Sequence, residues 1–358
     1  MAADAAALRR DMAEPAAALA RLAEYSTIID ARSPAEFAED ALPGAINCPV
    51  LDDAQRAQVG TLYKQNAPFV ARRVGAALAA RNIATLLERQ LAAQPRDWRP
   101  LVYCWRGGER SGALAHVLRR VGWRAQQLAG GYRAWRRMVL AQLEVLPARY
   151  RWQVVCGPTG SGKSRLLRAL AEAGAQVLDL EELACHRGSV LGGLPGAPQP
   201  SQKRFDGLIW WALHCFDPAR PVYVESESRK VGNLRVPTAL IDAMRAAPCL
   251  RVELPLAQRV LLLREDYSHF ERAPAALAAQ LDCLVPLHGH GPVAHWKQLA
   301  VAGDWAALVE HLLTQHYDPA YRRSLEGNFP QAAQGEALPL DRADAAHYAA
   351  AARVLLAR

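Results

Sequence analysis

Two short runs in this chain carry residue types whose spacing suits chemistry. The first is Tyr103-Cys104-Trp105-Arg106-Gly107-Gly108-Glu109-Arg110-Ser111. Gly107 and Gly108 let backbone N–H groups converge on one point, and a helix beginning just after them adds partial positive charge there. Arg106 and Arg110 favour both a thiolate and a bound tetrahedral oxyanion. The pattern predicts a reactive Cys104 thiolate in an anion cradle, with Glu109 turned outward. A free cysteine is commonly a small buried core residue, but that role needs neither the glycines nor the arginines.

The second run is Gly157-Pro158-Thr159-Gly160-Ser161-Gly162-Lys163-Ser164, a complete phosphate-binding loop. Its backbone amides would wrap phosphate oxygens, Lys163 would neutralise the outer phosphate, and Ser164 would hold Mg²⁺ if a metal is used. The chain has only five lysines among its 43 basic residues, so a lysine at this position is less casual. Glu225 or Glu227 stands where a water- or metal-orienting carboxylate is expected. The loop does not name its ligand: ATP is the default, and an allylic diphosphate would gain doubly, because stabilising the departing pyrophosphate is itself catalysis. His186 and Arg187, before the Gly/Pro-rich stretch 191–198, read as part of a lid over that ligand, and Arg229 as a further phosphate contact. Cys283, His288, His290 and His295 match no closed zinc spacing, so no metal site is assigned.

The elements around these runs follow from local pattern. The apolar segment 100–103 predicts a buried strand that delivers Cys104 to its loop, and Ala113, Leu114, Val117 and Leu118 mark a helix after it. Residues 151–156 read as a strand, and 163–174 as a helix with Leu166, Leu167 and Leu170 on one face. The organisation predicted is α/β: a lead-in helix at 1–24, an α/β domain at 25–140, a linker at 141–151, a P-loop NTPase-like domain at 152–265 and an α-helical C-terminal extension at 266–358. Of the formal charge of +8, most falls in residues 1–146. Paired arginines at 9–10, 72–73, 119–120, 136–137 and 322–323, interspersed with Trp98, Trp105, Trp123 and Trp135, suit a surface that meets RNA, although solvated helix faces also explain such charges. Seven cysteines without framework spacing fit a reducing compartment. With no secretory or membrane segment in the sequence, the chain reads as a cytoplasmic monomer.

The Cys104 half resembles a rhodanese domain. The resemblance rests on Asp30-Ala-Arg32-Ser-Pro-Ala-Glu36-Phe37, on Leu42-Pro-Gly44-Ala-Ile46-Asn47 and on Gly130-Gly131-Tyr132-Arg-Ala-Trp135, besides the cysteine loop. Further segments are Val59-Gly-Thr-Leu-Tyr63-Lys64-Gln65, Asp97-Trp98-Arg99, His186-Arg-Gly-Ser189, Gln199-Pro-Ser-Gln202, Glu225-Ser-Glu-Ser-Arg229 and His316-Tyr-Asp-Pro-Ala-Tyr321. With them the whole chain resembles the bacterial tRNA 2-selenouridine synthase family, a rhodanese domain fused to a P-loop domain.

The resemblance implies exchange of sulfur for selenium in wobble 2-thiouridine of tRNA, with selenophosphate and geranyl diphosphate as co-substrates. A selenophosphate-supplying enzyme is then an implied partner. The P-loop would bind the diphosphate, Cys104 would handle selenium as a selenosulfide, and the segment 205–211 is expected to cover the apolar tail. Two other readings stay open at this level. One is an ATP-dependent kinase or sulfurtransferase; the other is a non-catalytic tRNA-binding module, against which the intact Cys104, Lys163 and Ser164 speak.

Overall fold

The computed structural model describes residues 11–65, 67–189, 191–194 and 196–357. The chain forms two compact units, one running up to Leu143 and including Pro200–Trp211, the other comprising Glu144–Gln199 and Ala212–Arg358. Both are parallel α/β sheets covered by helices.

The first unit has five strands: β1 (Met12–Ala13), β2 (Thr27–Asp30), β3 (Ala45–Asn47), β4 (Pro100–Tyr103) and β5 (Gln126–Leu128), in the order β1-β5-β4-β2-β3. All pairings are parallel, with Ile29 opposite Val102 at the centre. β4 is buried along its whole length, as its unbroken apolar run requires of a central parallel strand. The helix Glu109–Val121 starts after Gly108 and stops at Gly122, whose left-handed φ of 112° ends it. Leu114 and Leu118 from that helix pack on Ile29, Val102 and Trp98.

Among the described residues of the expected lead-in segment, Met12–Ala13 pair with β5 as an edge strand and a helix spans Pro15–Ala20. Pro15 suits its first position, since proline begins a helix readily but cannot sit inside one. Arg9 and Arg10 lie outside the described residues.

The segment Pro200–Trp211 belongs to this first unit rather than to the P-loop half. Phe205, Ile209 and Trp210 are fully buried, and Trp210 meets Trp135 edge-on at 4.7 Å. Trp98 and Trp135 are likewise core residues, so they are not stacking platforms for RNA. Arg136 is tied to the Asp206 carboxylate and to the Lys203 carbonyl.

The second unit holds β6 (Arg151–Cys156), β7 (Gln176–Leu178), β8 (Pro221–Glu225), a small antiparallel pair β9 (Lys230–Val231) and β10 (Leu234–Arg235), then β11 (Cys249–Glu253) and β12 (Glu336–Pro339). Its main sheet runs β12-β11-β6-β8-β7, all parallel, with β6 in the middle. The C-terminal stretch is mainly helical, as expected, and also supplies β12 to the sheet edge. Its last helix, Ala345–Leu356, places Tyr348 and Ala352 in one core with Leu166 and Leu170 of the helix Lys163–Glu172. Phe270, Leu277, Trp296, Leu308 and Leu312 form a separate helical core. Among the described residues no helix is long and apolar enough to cross a membrane.

Candidate active sites

Cys104 leaves the end of β4 with its side chain buried, and the Ser111 hydroxyl donates to its Sγ at 3.1 Å. The backbone of the loop is fixed from the turn after β5: the amides of Tyr132 and Arg133 donate to the carbonyls of Cys104 and Trp105. Gly131 allows this approach, because a Cβ there would lie 2.3 Å from the Cys104 carbonyl oxygen, and its φ is +55°. Gln127 Nε2 donates to the Gly107 carbonyl at 2.6 Å and to Ser111 Oγ at 2.9 Å, so the loop is held from both sides. Arg106 and Glu109 are exposed.

Arg110 is partly occupied. Its guanidinium forks onto Glu36 at 2.6 and 3.3 Å. Burial pushes the Glu36 carboxyl up, and the Arg110 pairing overcomes this and holds it below the ordinary range. Beneath the loop lies a second pair, in which Arg32 donates to both oxygens of the fully buried Asp30 and to the Asp40 carbonyl. The Arg32 guanidinium packs 4.2 Å from the Tyr132 ring centre, and Tyr132 Oη donates to Asp40. Asp30, Arg32 and Tyr132, legible only as a family pattern in the sequence, therefore form one buried network that reaches the cysteine loop through Tyr132, whose amide meets the Cys104 carbonyl and whose ring stacks on Trp105.

In the second unit the phosphate-binding loop joins β6 to the helix Lys163–Glu172. Gly160 and Gly162 have φ of 79° and 81°, and a Cβ on Gly162 would collide with Tyr348 Oη. Lys163 Nζ donates to the Gly157 carbonyl at 2.7 Å and lies 5.6 Å from the Tyr321 ring centre. The Gly157 amide donates to Tyr321 Oη at 2.6 Å. Arg259 Nε and Nη2 donate to the Thr159 carbonyl at 2.9 and 2.7 Å, and the same guanidinium pairs with Asp318.

A group of carboxylates faces this loop. Ser164 Oγ donates to Glu181 Oε2 at 3.0 Å, and Glu225 Oε1 accepts from the Glu181 amide at 2.8 Å. Burial, reinforced by Glu227, pushes Glu181 up to about 7. Burial pushes Asp179 up to about 6, and drives Glu225 and Glu227 upward as well. Glu225 Oε2 is buried and has no hydrogen-bond partner among the described residues.

Beside the loop opens an apolar pocket lined by Thr159 and by Leu263, Tyr267, Phe270, Leu308 and Leu312, among others. Thr159 belongs to the phosphate-binding loop, so the pocket adjoins that loop at this residue. The segment 205–211, expected to cover an apolar tail, does not line it; burial of Phe205, Ile209 and Trp210 in the first unit accounts for its apolar character.

Residues 150–281 match the family model described as the tRNA 2-selenouridine synthase AAA domain, and residues 14–138 match that of a rhodanese-like domain. A tRNA 2-selenouridine synthase from Aeromonas salmonicida is 34% identical over 329 residues, covering 82% of this chain and 86% of that protein. The chain belongs to the tRNA 2-selenouridine synthase family. The enzyme of the same name from Hydrogenovibrio crunogenus is 32% identical over 82% of this chain and 88% of its own length. For that from Nitrosomonas europaea the figures are 36%, 67% and 63%, so the match spans a little under two thirds of that relative.

Within this synthase architecture the sequence-derived residues divide. Gly157 to Ser164 form one loop with Glu225 nearby, while Arg229 is exposed in a different hollow lined by Ser228, Lys230, Arg245 and Asn328. The His186 amide donates to the Glu181 carbonyl, and burial lowers the basicity of its imidazole. Arg187 donates to the Asp266 carbonyl and covers the Tyr267 ring at 4.8 Å, so it braces the pocket wall. Nor is the presumed lid free of the core: Leu191 is buried with Phe270 and Leu277. Sequence reasoning missed Glu181, Arg259 and the pocket. The segment His316 to Tyr321 was singled out without a role, and Asp318 and Tyr321 now supply one.

Proposed function

We propose that this chain converts wobble 2-thiouridine of tRNA into 2-selenouridine, using geranyl diphosphate and selenophosphate. The names of its relatives support the tRNA substrate and the selenium product. The observation that carries the finer reading is an apolar pocket that adjoins the phosphate-binding loop at Thr159. A diphosphate on Lys163 and the loop amides would point an esterified hydrocarbon tail along Leu263 and Phe270, where burying each CH₂ contributes about 0.8 kcal/mol. A nucleotide would set its polar base and ribose against the same apolar wall, which disfavours the kinase reading.

In the first step the thiocarbonyl sulfur forms a bond to C1 of the geranyl group, the C1–O bond breaks, and pyrophosphate leaves with the electron pair. The uracil N3 proton departs to a base or to water. Lys163 and the amides of Gly160 to Ser164 stabilise the developing charge. In the second step the selenide-level selenium of selenophosphate bonds to C2, the C2–S bond breaks, and geranyl thiolate departs with the electron pair and takes a proton; water then cleaves the P–Se bond and releases phosphate, so neither oxidant nor reductant is needed. Cys104, with Arg106, Gly107 and Gly108, serves the selenium donor. The oxygen donors Ser164 and Glu181 suit Mg²⁺, which commonly takes one or two protein oxygens alongside substrate phosphates. When bound, it would add positive charge at the leaving group.

Nucleoside mass spectrometry on tRNA from cells carrying single variants tests the assignment. Lys163→Ala should leave 2-thiouridine unmodified, and Cys104→Ser should accumulate the S-geranyl nucleoside. Normal 2-selenouridine in the Cys104 variant, or geranylation in the Lys163 variant, refutes the division of labour.

A further inference from the structure

The pocket beside Thr159 has a direction. The helix Trp305–Leu312 continues through Leu313–Tyr317 into the helix Asp318–Asn328, so the chain stays helical from Trp305 past Tyr321. Its Asp318 and Tyr321 reach the phosphate-binding loop, through Arg259 and through the Gly157 amide respectively. Trp305, Leu308, Val309, Leu312, Leu313 and Tyr317 all line the pocket, and their spacing places them on one helical stripe. Tyr317 is therefore at the phosphate end and Trp305 at the remote end. At about 1.5 Å per residue, Trp305 lies about 20 Å along the helix from Asp318.

The opposite wall comes from the helix Leu256–Asp266 and the residues that follow it. Leu263 is next to the loop, since a Cβ on Gly160 would come within 2.9 Å of it. Phe270 and Leu277 follow later in the chain and also line the pocket. Trp305 is half-buried and packs against the helical core that contains Leu277, Leu308 and Leu312. A bulky, rigid indole thus lines the pocket at the end of this helical stripe farthest from Asp318.

We infer that Trp305 is the stop that sets the tail length of the diphosphate ester this pocket accepts, with Val309 one helical turn closer to the phosphates as the next position along the same wall. The inference rests on the proposed function, because it takes an allylic diphosphate as the occupant. It adds a specificity-determining residue that neither the phosphate-binding motif nor the cysteine loop contains. Cutting Trp305 back should open the pocket to a tail longer by one isoprene unit. A larger side chain at Val309 should close it to all but a shorter one.

Calorimetric titration of the full chain with inorganic pyrophosphate and with dimethylallyl, geranyl and farnesyl diphosphates tests this, with thermal melts to confirm folding. In Trp305→Ala the affinity for farnesyl relative to geranyl diphosphate should rise by about ten-fold or more. In Val309→Phe, geranyl diphosphate should lose about ten-fold while dimethylallyl diphosphate is retained. Should Trp305→Ala fail to fold, the Val309 variant still decides. If the unaltered protein prefers geranyl diphosphate to pyrophosphate but neither variant changes the length preference, the stop is refuted and the proposed function stands. If the unaltered protein binds geranyl diphosphate no better than pyrophosphate, no tail occupies the pocket and both fall.

Discussion

Arg259 offers a direct test of whether the phosphate-binding loop is held in shape from outside its own sequence. Its guanidinium is nearly fully buried, donates twice to the Thr159 carbonyl and pairs with an Asp318 side chain that is 26% exposed. Removing one partner of a buried pair costs about 3–5 kcal/mol, mostly from the charge left behind. Asp318 can recover part of its hydration, so Arg259→Met should fall near the lower end, at about 3 kcal/mol. Thr159 would also lose both donors, and its peptide would be free to turn within the cradle. If reordering that peptide on ligand binding takes about 1.4 kcal/mol, pyrophosphate affinity drops by about ten-fold. Asp318→Asn keeps a hydrogen-bonding side chain and loses only the charge, so both effects should be smaller. Chemical denaturation gives the first quantity and calorimetry with pyrophosphate the second. An Arg259→Met protein that is less stable but binds pyrophosphate normally would show that the contact supports the fold without shaping the loop, and the reasoning would be wrong.

The remaining expectations concern pH, the RNA face and one glycine. Glu181 is raised to about 7, so its native form holds a proton that the unfolded chain releases near the ordinary carboxylate value. Stability should therefore fall as pH rises from about 4.5 through about 7, and Glu181→Gln should flatten that slope in melts recorded across the range. Without added divalent cation, pyrophosphate binding should weaken over the upper part of the same window as Glu181 becomes charged, and an unchanged affinity would exclude Glu181 from the phosphate field. Arg133 and Arg137 are exposed one helical turn apart, whereas Arg136 is paired with Asp206. Reversing the exposed two should weaken tRNA binding and reduce its salt slope by about one per lost phosphate contact, while Arg136→Glu should mainly lower the melting temperature. Gly162→Ala should abolish pyrophosphate binding, because a Cβ would collide with Tyr348 and the loop would have to shift; retained binding would mean that Tyr348 yields.

The legible parts of this chain were those fixed by neighbours in sequence. β4 and β6 were readable because an apolar run ends at a glycine-rich loop and a helix with periodic leucines follows. Cys104, Lys163 and Ser164 were readable because each loop carries its glycines and cations within a few positions. Arg259 was not, since nothing in its own helix signals that it meets a carbonyl from another part of the chain. Glu181 was hidden for a similar reason: it stands next to Ser164 only because β7 pairs with β8 and brings its following helix to the loop. The apolar character of 205–211 was visible, but Trp135 and Gln142, which account for it, are far away in sequence. Composition suggested tryptophans for RNA stacking, and burial assigned two of them to the core instead.

The excursion of Pro200–Trp211 into the first unit has a consequence for how such a gene could be divided. A break placed in the connection after Leu143 would yield a first fragment without the helix that carries Phe205, Ile209 and Trp210. That fragment would present Trp135 and Gln142 without their covering partner, and Arg136 without Asp206. The other fragment would retain a helix with large apolar side chains and no core to receive them. Separately encoded halves would thus be aggregation-prone unless they were expressed together and could recombine. The chain crossing itself favours inheritance of the two units as a single gene.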